Sequence, residues 1–299
     1  MEHSGTIRSM VAERPPDAVR LQVGDRDVAD YVWRSQLPAS TAPRPFLHPV
    51  RTLAGCLVTD ARPHSHTHQL GISIAAPDIG GRNFWGGRTF VAGHGPAWLD
   101  DHGAQRHRRW LRHTESGLAH TLQWVDAEGS ALLRERREID CVPSGDTAWT
   151  LGVRTRLTNA TDRPLPIRSP ASLGRVGAGY GGFFWRGPAR TEQVRVLSPA
   201  GTGERAVNGT TAPWVAVSGA DGEDREWTML FLAADATTAA DRWFVRARDY
   251  LGVGSSLTWD RPLVLEPGAH LERHILAVVA DGTLTEDEAA AFADAARAA

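Results

Sequence analysis

The sequence predicts an all-β protein, a large antiparallel β-sandwich that ends in a short C-terminal helix. Three observations predict it. Short segments of alternating apolar and polar residues recur along almost the whole chain, turn signals such as Asn208-Gly209 and Asp221-Gly222 separate them, and only the tail has a helical pattern. Because successive side chains of a strand point to opposite faces, many such segments in 299 residues imply packed layers of antiparallel sheet.

The alternating segments, taken in chain order, predict strands at residues 18–23, 53–59, 70–75, 118–125, 132–141, 148–158, 193–197, 214–218, 227–233 and 270–279. The string Thr285-Glu286-Asp287-Glu288 then predicts a capping box, in which Thr285 and Glu288 satisfy each other's backbone N–H groups. An alanine-rich helix over residues 285–299 follows. With no long linker and no internal repeat, we interpret residues 1–299 as a single domain.

Composition excludes several classes of protein. The net charge of −2 and the 41% of hydrophobic residues are typical of a soluble globular protein, and they do not favour a nucleic-acid partner. No apolar run reaches the roughly 20 residues of a spanning helix, and the N-terminus lacks a signal-peptide pattern. Two cysteines are too few for a disulfide framework. We therefore expect a cytoplasmic protein without a membrane partner. The mixed charges of residues 134–138 are interpreted as a solvated strand face.

The segment from Pro63 to Ala75 places His64, His66 and His68 at alternate positions. In an extended strand these three side chains point the same way. Such a row can bind a divalent metal, since neutral imidazole suits zinc, copper, iron and nickel. It can equally supply acid–base groups or polar contacts to a sugar, or simply face water at the start of a strand. Spacing alone leaves these three interpretations open.

Two further segments are rich in aromatic, charged and glycine residues. Residues 83–88 contain Asn83 and Trp85 among glycines, as expected for the frame of a ligand pocket. Residues 98–110 mix acids, histidines and arginines between two tryptophans. There Asp100 or Asp101 can orient a histidine, and His102 and His107 can join the histidine row, unless the segment is only a long polar hairpin loop.

A third segment, residues 173–186, combines glycines with aromatic residues but lacks the strand–turn–helix context of a nucleotide site. Arg175 and Arg186 are candidates to bind a carboxylate or a hydroxyl-rich ligand, Tyr180 is a candidate proton donor, and Trp185 is a candidate pocket wall. A tightly bent strand pair in the core is the alternative. Farther on, Asp249 is interpreted as a carboxylate base or as the ion-pair partner of Arg248, with the ion pair favoured.

Five motifs occur in an order that resembles the bacterial PmoA-like family, also labelled methane oxygenase PmoA. They are residues 45–50, the histidine-rich segment leading to Gly71, and residues 83–87, 179–183 and 248–250. The resemblance covers residues 44–282, which leaves N-terminal strands in 1–43. Family members usually show an Asp-His-Pro-x-His-like string, so their first histidine maps onto His66. Ser65 replaces the acidic residue, and the later histidine maps onto His68 or Gln69.

The resemblance implies a galactose-mutarotase-like supersandwich and a setting in sugar catabolism beside Gfo/Idh/MocA-type oxidoreductases. Methane oxidation is excluded, because the subunit behind that label is a bundle of transmembrane helices. We expect a carbohydrate-active lyase, hydrolase or epimerase, in which a base, a proton donor and a cation act on the ligand. The alternatives are a non-catalytic sugar-binding or accessory protein and a histidine-ligated metalloenzyme.

The expected ligand is a small sugar-like molecule, and a homo-oligomer is possible. The predicted catalytic residues are His66, His68, Arg175, Tyr180 and Asp249. The predicted substrate-binding residues are Asn83, Trp85, His107, Trp185 and Arg186. The predicted ligands of a divalent metal are His64, His66 and His68.

Overall fold

The protein is described by a computed structural model that covers residues 17–188 and 192–299. The first sixteen residues of the predicted N-terminal segment 1–43 lie outside the described residues. In the first half of the chain the strands are β1 (Ala18–Val23), β2 (Arg26–Val32), β3 (Phe46–Val50), β4 (Ile72–Ala75), β5 (Asp78–Ile79), β6 (Thr89–Val91), β7 (Gly95–Ala97), β8 (Ala104–His113), β9 (Gly117–Val125), β10 (Ala131–Pro143) and β11 (Ala148–Asn159). In the second half they are β12 (Leu165–Arg168), β13 (Gly182–Arg186), β14 (Glu192–Ser198), β15 (Gly201–Thr202), β16 (Trp214–Ala220), β17 (Glu226–Ala233), β18 (Arg242–Arg246), β19 (Gly252–Ser256), β20 (Leu263–Leu265) and β21 (His270–Asp281). The helices are a 3₁₀ turn (Ala39–Thr41), α1 (Glu204–Val207), α2 (Ala236–Ala239) and α3 (Glu286–Ala298).

Within the described residues, two large sheets form the body of the fold, and the named strands pair antiparallel. One sheet has seven strands in the order β1-β2-β3-β4-β13-β19-β18, and the other has nine in the order β15-β14-β16-β17-β21-β11-β10-β9-β8. Two small sheets, β20-β12-β5 and β6-β7, accompany them. The predicted large antiparallel β-sandwich with a C-terminal helix is confirmed.

The main core lies between the two large sheets and follows from the period-two alternation of their strands. In β13, Phe183 and Trp185 point into this core, and in β18 Trp243 and Val245 do the same. Residues between them point to the opposite face, because neighbouring side chains of a strand alternate. Burying an apolar side chain of this size stabilises the fold by about 1.5–3 kcal/mol.

Helix α3 covers part of the outer face of the nine-stranded sheet. Thr285 caps its N-terminus and forms the predicted capping box with Glu288. Ala289 and Ala293, four residues apart and therefore on one face of the helix, are fully buried against Leu230 and Val278. The predicted helix is confirmed, and its small alanine side chains allow close approach to the sheet.

The outer face of the seven-stranded sheet carries an aromatic cluster that is separate from the main core. Phe184 of β13 and Phe244 of β18 point to this face and pack with Ala75 and Trp85. Gly252 of β19 lies beneath Phe184, and a Cβ atom there would come within 3.0 Å of the Phe184 ring. This cluster is the floor of the cleft described below.

The charged string at residues 134–138 is not a uniformly solvated face, so that prediction is wrong. Glu135 and Arg137 point into the sandwich, each only 2% exposed, whereas Arg136 and Glu138 form an exposed or half-exposed ion pair on the other face. Arg137 Nε donates to Glu135 Oε1 at 2.7 Å. Alternation splits the string between two environments, and the inner pair must find its partners inside the core.

Those partners form a network across the two sheets. Trp124 Nε1 and Thr155 Oγ1 donate to the Glu135 carboxylate, at 2.7 and 2.8 Å. Arg137 also donates to the Tyr31 hydroxyl, which lies 2.8 Å from His120 Nε2. The buried pair is thus satisfied by hydrogen bonds, as a charged pair in a low-dielectric core requires.

We expect His120 to make the fold sensitive to acid. Burial, followed by the charges of Arg137 and His107, lowers the pKa of His120 from 6.5 to about 2. The neutral ring therefore stabilises the folded state fully above pH 6.5, and this contribution is lost as the pH falls from 6.5 towards 2. Between pH 7 and pH 5 the loss amounts to roughly 2 kcal/mol.

Urea unfolding of the wild type and of His120→Gln at pH 7 and pH 5 checks this expectation. Glutamine does not titrate, so the variant should lose about 2 kcal/mol less than the wild type over that interval. An equal loss in both proteins would contradict the assignment of the acid sensitivity to His120.

Most of the predicted strands are present with bounds that differ by a few residues. Residues 53–59 are the exception, since the described chain has turns and isolated bridges there instead of a strand. The strand β8, which spans Ala104–His113, occupies the segment where a polar hairpin loop was the alternative. Its edge position in the nine-stranded sheet leaves many of its polar residues exposed, which explains the weak apolar pattern.

Candidate functional site

The histidine-rich segment does not form the predicted strand. Residues 63–69 make two consecutive tight turns, in which the His66 N–H donates to Pro63 O and the Gln69 N–H donates to His66 O. Strand β4 begins only at Ile72. The argument from alternate strand positions is therefore wrong. The turns nevertheless bring all three histidines to one cleft, with His64 exposed and His66 and His68 half-buried.

This cleft has a volume of about 650 Å³ and lies over the outer face of the seven-stranded sheet. Five separate stretches of the chain line it. The five residues that the sequence predicts as catalytic all lie in these stretches. The lining residues are His64 to Gln69, Trp85 to Arg88, Pro96, Trp98, Arg175, Ala178, Tyr180, Phe244, Arg246, Asp249 and Tyr250. A cleft of this size accommodates a small ligand of one to a few rings.

His68 forms one wall, and glycines make room for it. The backbone at Gly86 and Gly87 has φ values of 94° and 70°, which favour glycine. A Cβ atom at Gly86 would lie 2.8 Å from His68 Cβ, and one at Gly87 would lie 2.7 Å from His68 Nδ1. Burial, with the nearby charge of Arg44, lowers the pKa of His68 to about 3. The ring is therefore neutral, and it is a weak base.

Arg44, which no local sequence pattern singled out, holds this wall together. Its guanidinium is 1% exposed and donates to the backbone carbonyls of Thr41, Ala42, Trp85 and His68. Burial lowers the pKa of Arg44 to about 9. Arg44 has no carboxylate partner in the part of the chain that the structure describes, so the carbonyl dipoles stabilise its charge, and it fixes the relative positions of three segments.

Asn83 supports the wall and does not line the cleft, which corrects its assignment as a substrate-binding residue. Its side chain is buried, and Oδ1 accepts hydrogen bonds from the backbone N–H groups of Trp85 and Gly86, both at 2.8 Å. Its Nδ2 donates to Thr89. All of its principal hydrogen-bonding groups are engaged in shaping the loop that carries Trp85.

His102 stands behind the same wall. Its Nε2 lies 2.7 Å from Gly87 O, and because a carbonyl only accepts, Nε2 carries the proton. Nδ1 faces the Asp101 carboxylate at 3.9 Å. His102 lies outside the cleft lining, so it does not join the histidine row in this arrangement.

His66 lies between His68 and Tyr250, at ring-centroid distances of 5.8 and 5.3 Å. Its Nδ1 is 3.0 Å from Ser65 Oγ. Burial, with the charge of Arg186, lowers the pKa of His66 below its usual 6.5. At neutral pH this imidazole is uncharged, and it is more accessible than His68, so it is the better placed of the two to accept a proton.

Arg186 lies beneath this group and not in the cleft lining. Its guanidinium stacks over the Tyr250 ring at 4.6 Å, and its Nη1 donates to Gln69 Oε1 at 2.8 Å. The Asp60 carboxylate is 3.8 Å from Arg186 Nε, which is too long for a hydrogen bond. Arg186 therefore positions Gln69 and Tyr250, and direct contact with substrate is not supported by its place in the fold.

The floor is aromatic, and the Tyr180 phenol is part of it. Trp85 contacts Tyr180 at a ring-centroid distance of 4.6 Å, and Tyr180 contacts Phe244 at 5.6 Å. Burial raises the pKa of Tyr180 to about 12, although the Arg175 cation opposes this shift. The hydroxyl stays protonated across the physiological range and can donate a proton or a hydrogen bond.

Two predicted substrate-binding residues lie elsewhere. Trp185 lies on the face of β13 that points into the core between the two sheets. It is fully buried, and its Nε1 donates to Val58 O. His107 lies on β8, where its ring stacks on His120 and contacts Trp33 and Trp110. Both assignments are wrong, because a motif's position in sequence does not fix which face of the sheet a side chain occupies.

The rim combines an exposed indole with charged groups. Trp98 is 63% exposed, and the Arg88 guanidinium lies 5.9 Å from its ring. Arg175 and Asp249 are exposed on the rim as well. The favoured ion pair between Asp249 and Arg248 does not form among residues 17–188 and 192–299, so Asp249 is available to a ligand.

The described residues do not bring His64, His66 and His68 together as a metal site. No group of three His, Cys, Asp or Glu side chains in that part of the chain is placed to hold one ion. His66 Nδ1 lies against the hydroxyl of its neighbour Ser65, at 3.0 Å. Metal binding stays a prediction that this geometry does not support.

Trp98, Tyr250 and Arg246 were not predicted as site residues, although signals for them exist. Trp98 and Tyr250 lie inside segments that the sequence singled out for other residues. Arg246 follows Phe244 by two positions, so strand parity puts both on the cleft face once β18 is recognised. Arg44 had no local signal, because its role depends on segments distant in sequence.

Among the described residues, no helix is long and apolar enough to cross a membrane. No curated protein sequence matches the chain. Among solved structures, a candidate aldose 1-epimerase from Escherichia coli K12 is similar, with 13% identity and a TM-score of 0.43 over 88% of this chain and 98% of that one. A polysaccharide lyase matches with 10% identity and a TM-score of 0.35, over 88% of this chain and 34% of the lyase.

The family comparison covers nearly all of the described residues. The matching profile spans residues 18–294, and its description carries no PmoA label and no activity. The chain belongs to the DUF6807 family, a family of unknown function.

Proposed function

We propose that the cleft binds a sugar-like ligand and catalyses proton transfer on it, as a lyase or an epimerase does. The observation that carries the proposal is the convergence of an uncharged His66, a protonated Tyr180 and the Arg175 cation on one cleft beside the exposed Trp98 indole. A base, an acid and a cation are the groups that proton abstraction next to a carbonyl requires. The resemblance to PmoA-like proteins adds no reaction to this proposal.

Each group has a role that fits its surroundings. His66 accepts the proton, since its lowered pKa keeps it neutral at pH 7 and its ring is only half-buried. Tyr180 donates a proton or a hydrogen bond to the oxygen on the opposite side. Arg175 stabilises the negative charge that develops on that oxygen. Trp98 offers an apolar face on which a sugar ring can stack.

His68 and Asp249 take supporting roles in this proposal. A pKa of about 3 makes His68 a poor base, so it shapes the wall and accepts or donates a hydrogen bond. Asp249 is exposed and can accept hydrogen bonds from ligand hydroxyls.

Proton exchange in D₂O tests the proposal even while the substrate is unidentified. A panel of aldoses, keto-sugars and uronates is incubated with the protein, and loss of carbon-bound hydrogen is followed by NMR. We expect exchange with at least one compound, and His66→Asn should slow it by about 10²–10⁴-fold while ligand affinity changes little. Because the base must be neutral, the wild-type rate should fall only when the pH drops below the lowered pKa of His66, which lies under 6.5. At higher pH it should stay level until the Tyr180 hydroxyl, with its pKa of about 12, begins to deprotonate.

His64→Asn is the matched control, because His64 is an exposed histidine on the same cleft with no proposed proton transfer. Equal rates for His66→Asn and the wild type would contradict the role of His66. Binding of a sugar without exchange or bond cleavage would favour the second candidate, a non-catalytic sugar-binding protein, for which the exposed Trp98 platform and the weakly basic His68 also fit.

A further inference from the structure

We propose that the ligand of this cleft carries a carboxylate, as a uronic acid or another acidic sugar does, and that Arg175 is the main residue that recognises it. The inference rests on the proposed sugar-binding function and adds the class of sugar. Two observations support it: the charged side chains that line the cleft, and the small number of them that have an ion-pair partner within the protein.

Cations outnumber carboxylates in the lining. Arg88, Arg175 and Arg246 face a single acid, Asp249. The His66 and His68 rings do not alter this excess, because both pKa values are lowered and the rings are neutral at pH 7. A concave site with an excess of one sign of charge raises the local concentration of ligands of the opposite sign.

The protein neutralises only one of the three arginines. Arg246 lies 3.7 Å from the Glu204 carboxylate, donates to Gly177 O, and stacks over Phe244. In the described part of the chain, neither Arg88 nor Arg175 has an ion-pair partner within 4.0 Å. The Arg88 guanidinium lies 5.9 Å from the centroid of the Trp98 ring on the rim, so it has a cation–π partner there. Arg175 is thus the cation that is left available to a ligand.

The turn that carries Arg175 holds it in place. The Arg175 N–H donates to Pro170 O, and Arg175 O accepts from the Ala178 N–H. The guanidinium lies close enough to the Tyr180 hydroxyl to oppose the rise in its pKa. A guanidinium binds a carboxylate through two parallel N–H···O bonds, and a neighbouring phenol can donate a third.

Buried charge below the floor acts in the same direction. Arg186, under Tyr250, is opposed only by Asp60 at 3.8 Å, and Arg44 has no carboxylate partner among the described residues. Neither residue reaches the ligand. Their fields nevertheless favour a negative group in the cleft over a neutral one, since interactions in a partly desolvated site are weakly screened.

Calorimetric titration with matched acids and esters tests the proposal. The probes are the methyl glycosides of glucuronic, galacturonic and mannuronic acid, their methyl esters, and the corresponding neutral hexosides. We expect at least one acid to bind about tenfold more tightly than its ester, because the ester keeps the ring and loses the charge. Raising the salt concentration from about 50 to about 500 mM should weaken binding of the acid and leave binding of the ester unchanged.

Arg175→Gln should abolish the preference for the acid while leaving affinity for the ester within about twofold. Arg248→Gln is the control, because Arg248 is an exposed arginine of the neighbouring segment that does not line the cleft. It should keep the full preference. Thermal melting of both variants confirms that they fold.

The outcomes separate this inference from the proposed function. If acids, esters and neutral hexosides bind equally, the carboxylate is not recognised and sugar binding stands. If Arg175→Gln keeps the preference for the acid, the assignment of Arg175 is wrong. If none of the sugars binds at about 10 mM, the proposed function fails, and the acidic-sugar inference fails with it.

Discussion

Replacing Arg137 with methionine is expected to lower the free energy of unfolding by about 3–5 kcal/mol, as breaking a buried ion pair usually does. The substitution leaves the Glu135 carboxylate buried at 2% exposure without its cation. Hydrogen bonds from Trp124 and Thr155 remain, but they do not replace a neutralising charge. Urea unfolding monitored by tryptophan fluorescence measures the loss.

The exposed ion pair between Arg112 and Asp140 is the matched control. Its 2.6 Å distance is as short as that of the buried pair, but its side chains are 42% and 46% exposed. Arg112→Met should therefore lower the free energy of unfolding by only about 0–1 kcal/mol. A loss for Arg137→Met no larger than for Arg112→Met would contradict the stabilising role of the buried pair.

A double variant separates the pair from its surroundings. Glu135→Gln removes the charge and keeps one acceptor oxygen for the Trp124 N–H, while its NH2 group faces the Thr155 hydroxyl, which can rotate to accept. Combined with Arg137→Met, it should cost at least about 2 kcal/mol less than the sum of the two single changes, because each single change leaves one buried charge unpaired. Additive losses would mean that the two charges do not interact.

Gly86→Ala is expected to destabilise the protein by about 3 kcal/mol or more and to abolish ligand binding. The new Cβ would lie 2.5 Å from Thr41 O and 2.8 Å from His68 Cβ, so backbone must move on both sides. The φ of 94° adds conformational strain of about 1–2 kcal/mol. Since Gly86 and Thr41 belong to the wall that Arg44 fixes, the shift displaces His68 from the cleft.

Gly95→Ala provides the control, because it shares the conformational strain without the clash. Its φ is 93°, and a Cβ there meets nothing within 4 Å. We expect the free energy of unfolding of this variant to fall by only about 1–2 kcal/mol, and its ligand affinity to stay unchanged. Thermal unfolding and calorimetric titration with the uronate panel measure both quantities. If Gly86→Ala matched Gly95→Ala in both, close packing on His68 would not matter to the site.

Much of the fold follows from local pattern. Strand β10 and the second half of β11 alternate between buried and more exposed residues, because only one face of the sheet meets the core there, and the C-terminal capping box uses residues three positions apart. Strand β19 was missed, and β13 was predicted only through the alternative of a bent strand pair at residues 173–186. They consist of glycine, serine and aromatic residues that are buried on both faces, so they show no alternation to detect.

The candidate site was predicted in part, and the reason is geometric. His66, Tyr180 and Arg175 line one cleft, although the histidines reach it through tight turns instead of a strand, and their catalytic roles stay predictions. The assignment of Trp185 missed by one position. Its neighbour Phe184 points to the outer face of the sheet and supports the cleft floor, whereas Trp185 points into the core. A motif narrows the segment that contributes to a site, but the sheet decides which of its side chains do.

By itself the sequence determined the all-β class, the position of the terminal helix and the segments that carry unusual side chains, because these depend on periods of two to four residues. Only the tertiary structure decided that Glu135 and Arg137 are buried while Arg136 and Glu138 are not, and that Arg44 joins three segments of the cleft wall. The physical reason is that burial depends on which distant strands pair and which face of a sheet a second layer covers. No local period encodes that choice.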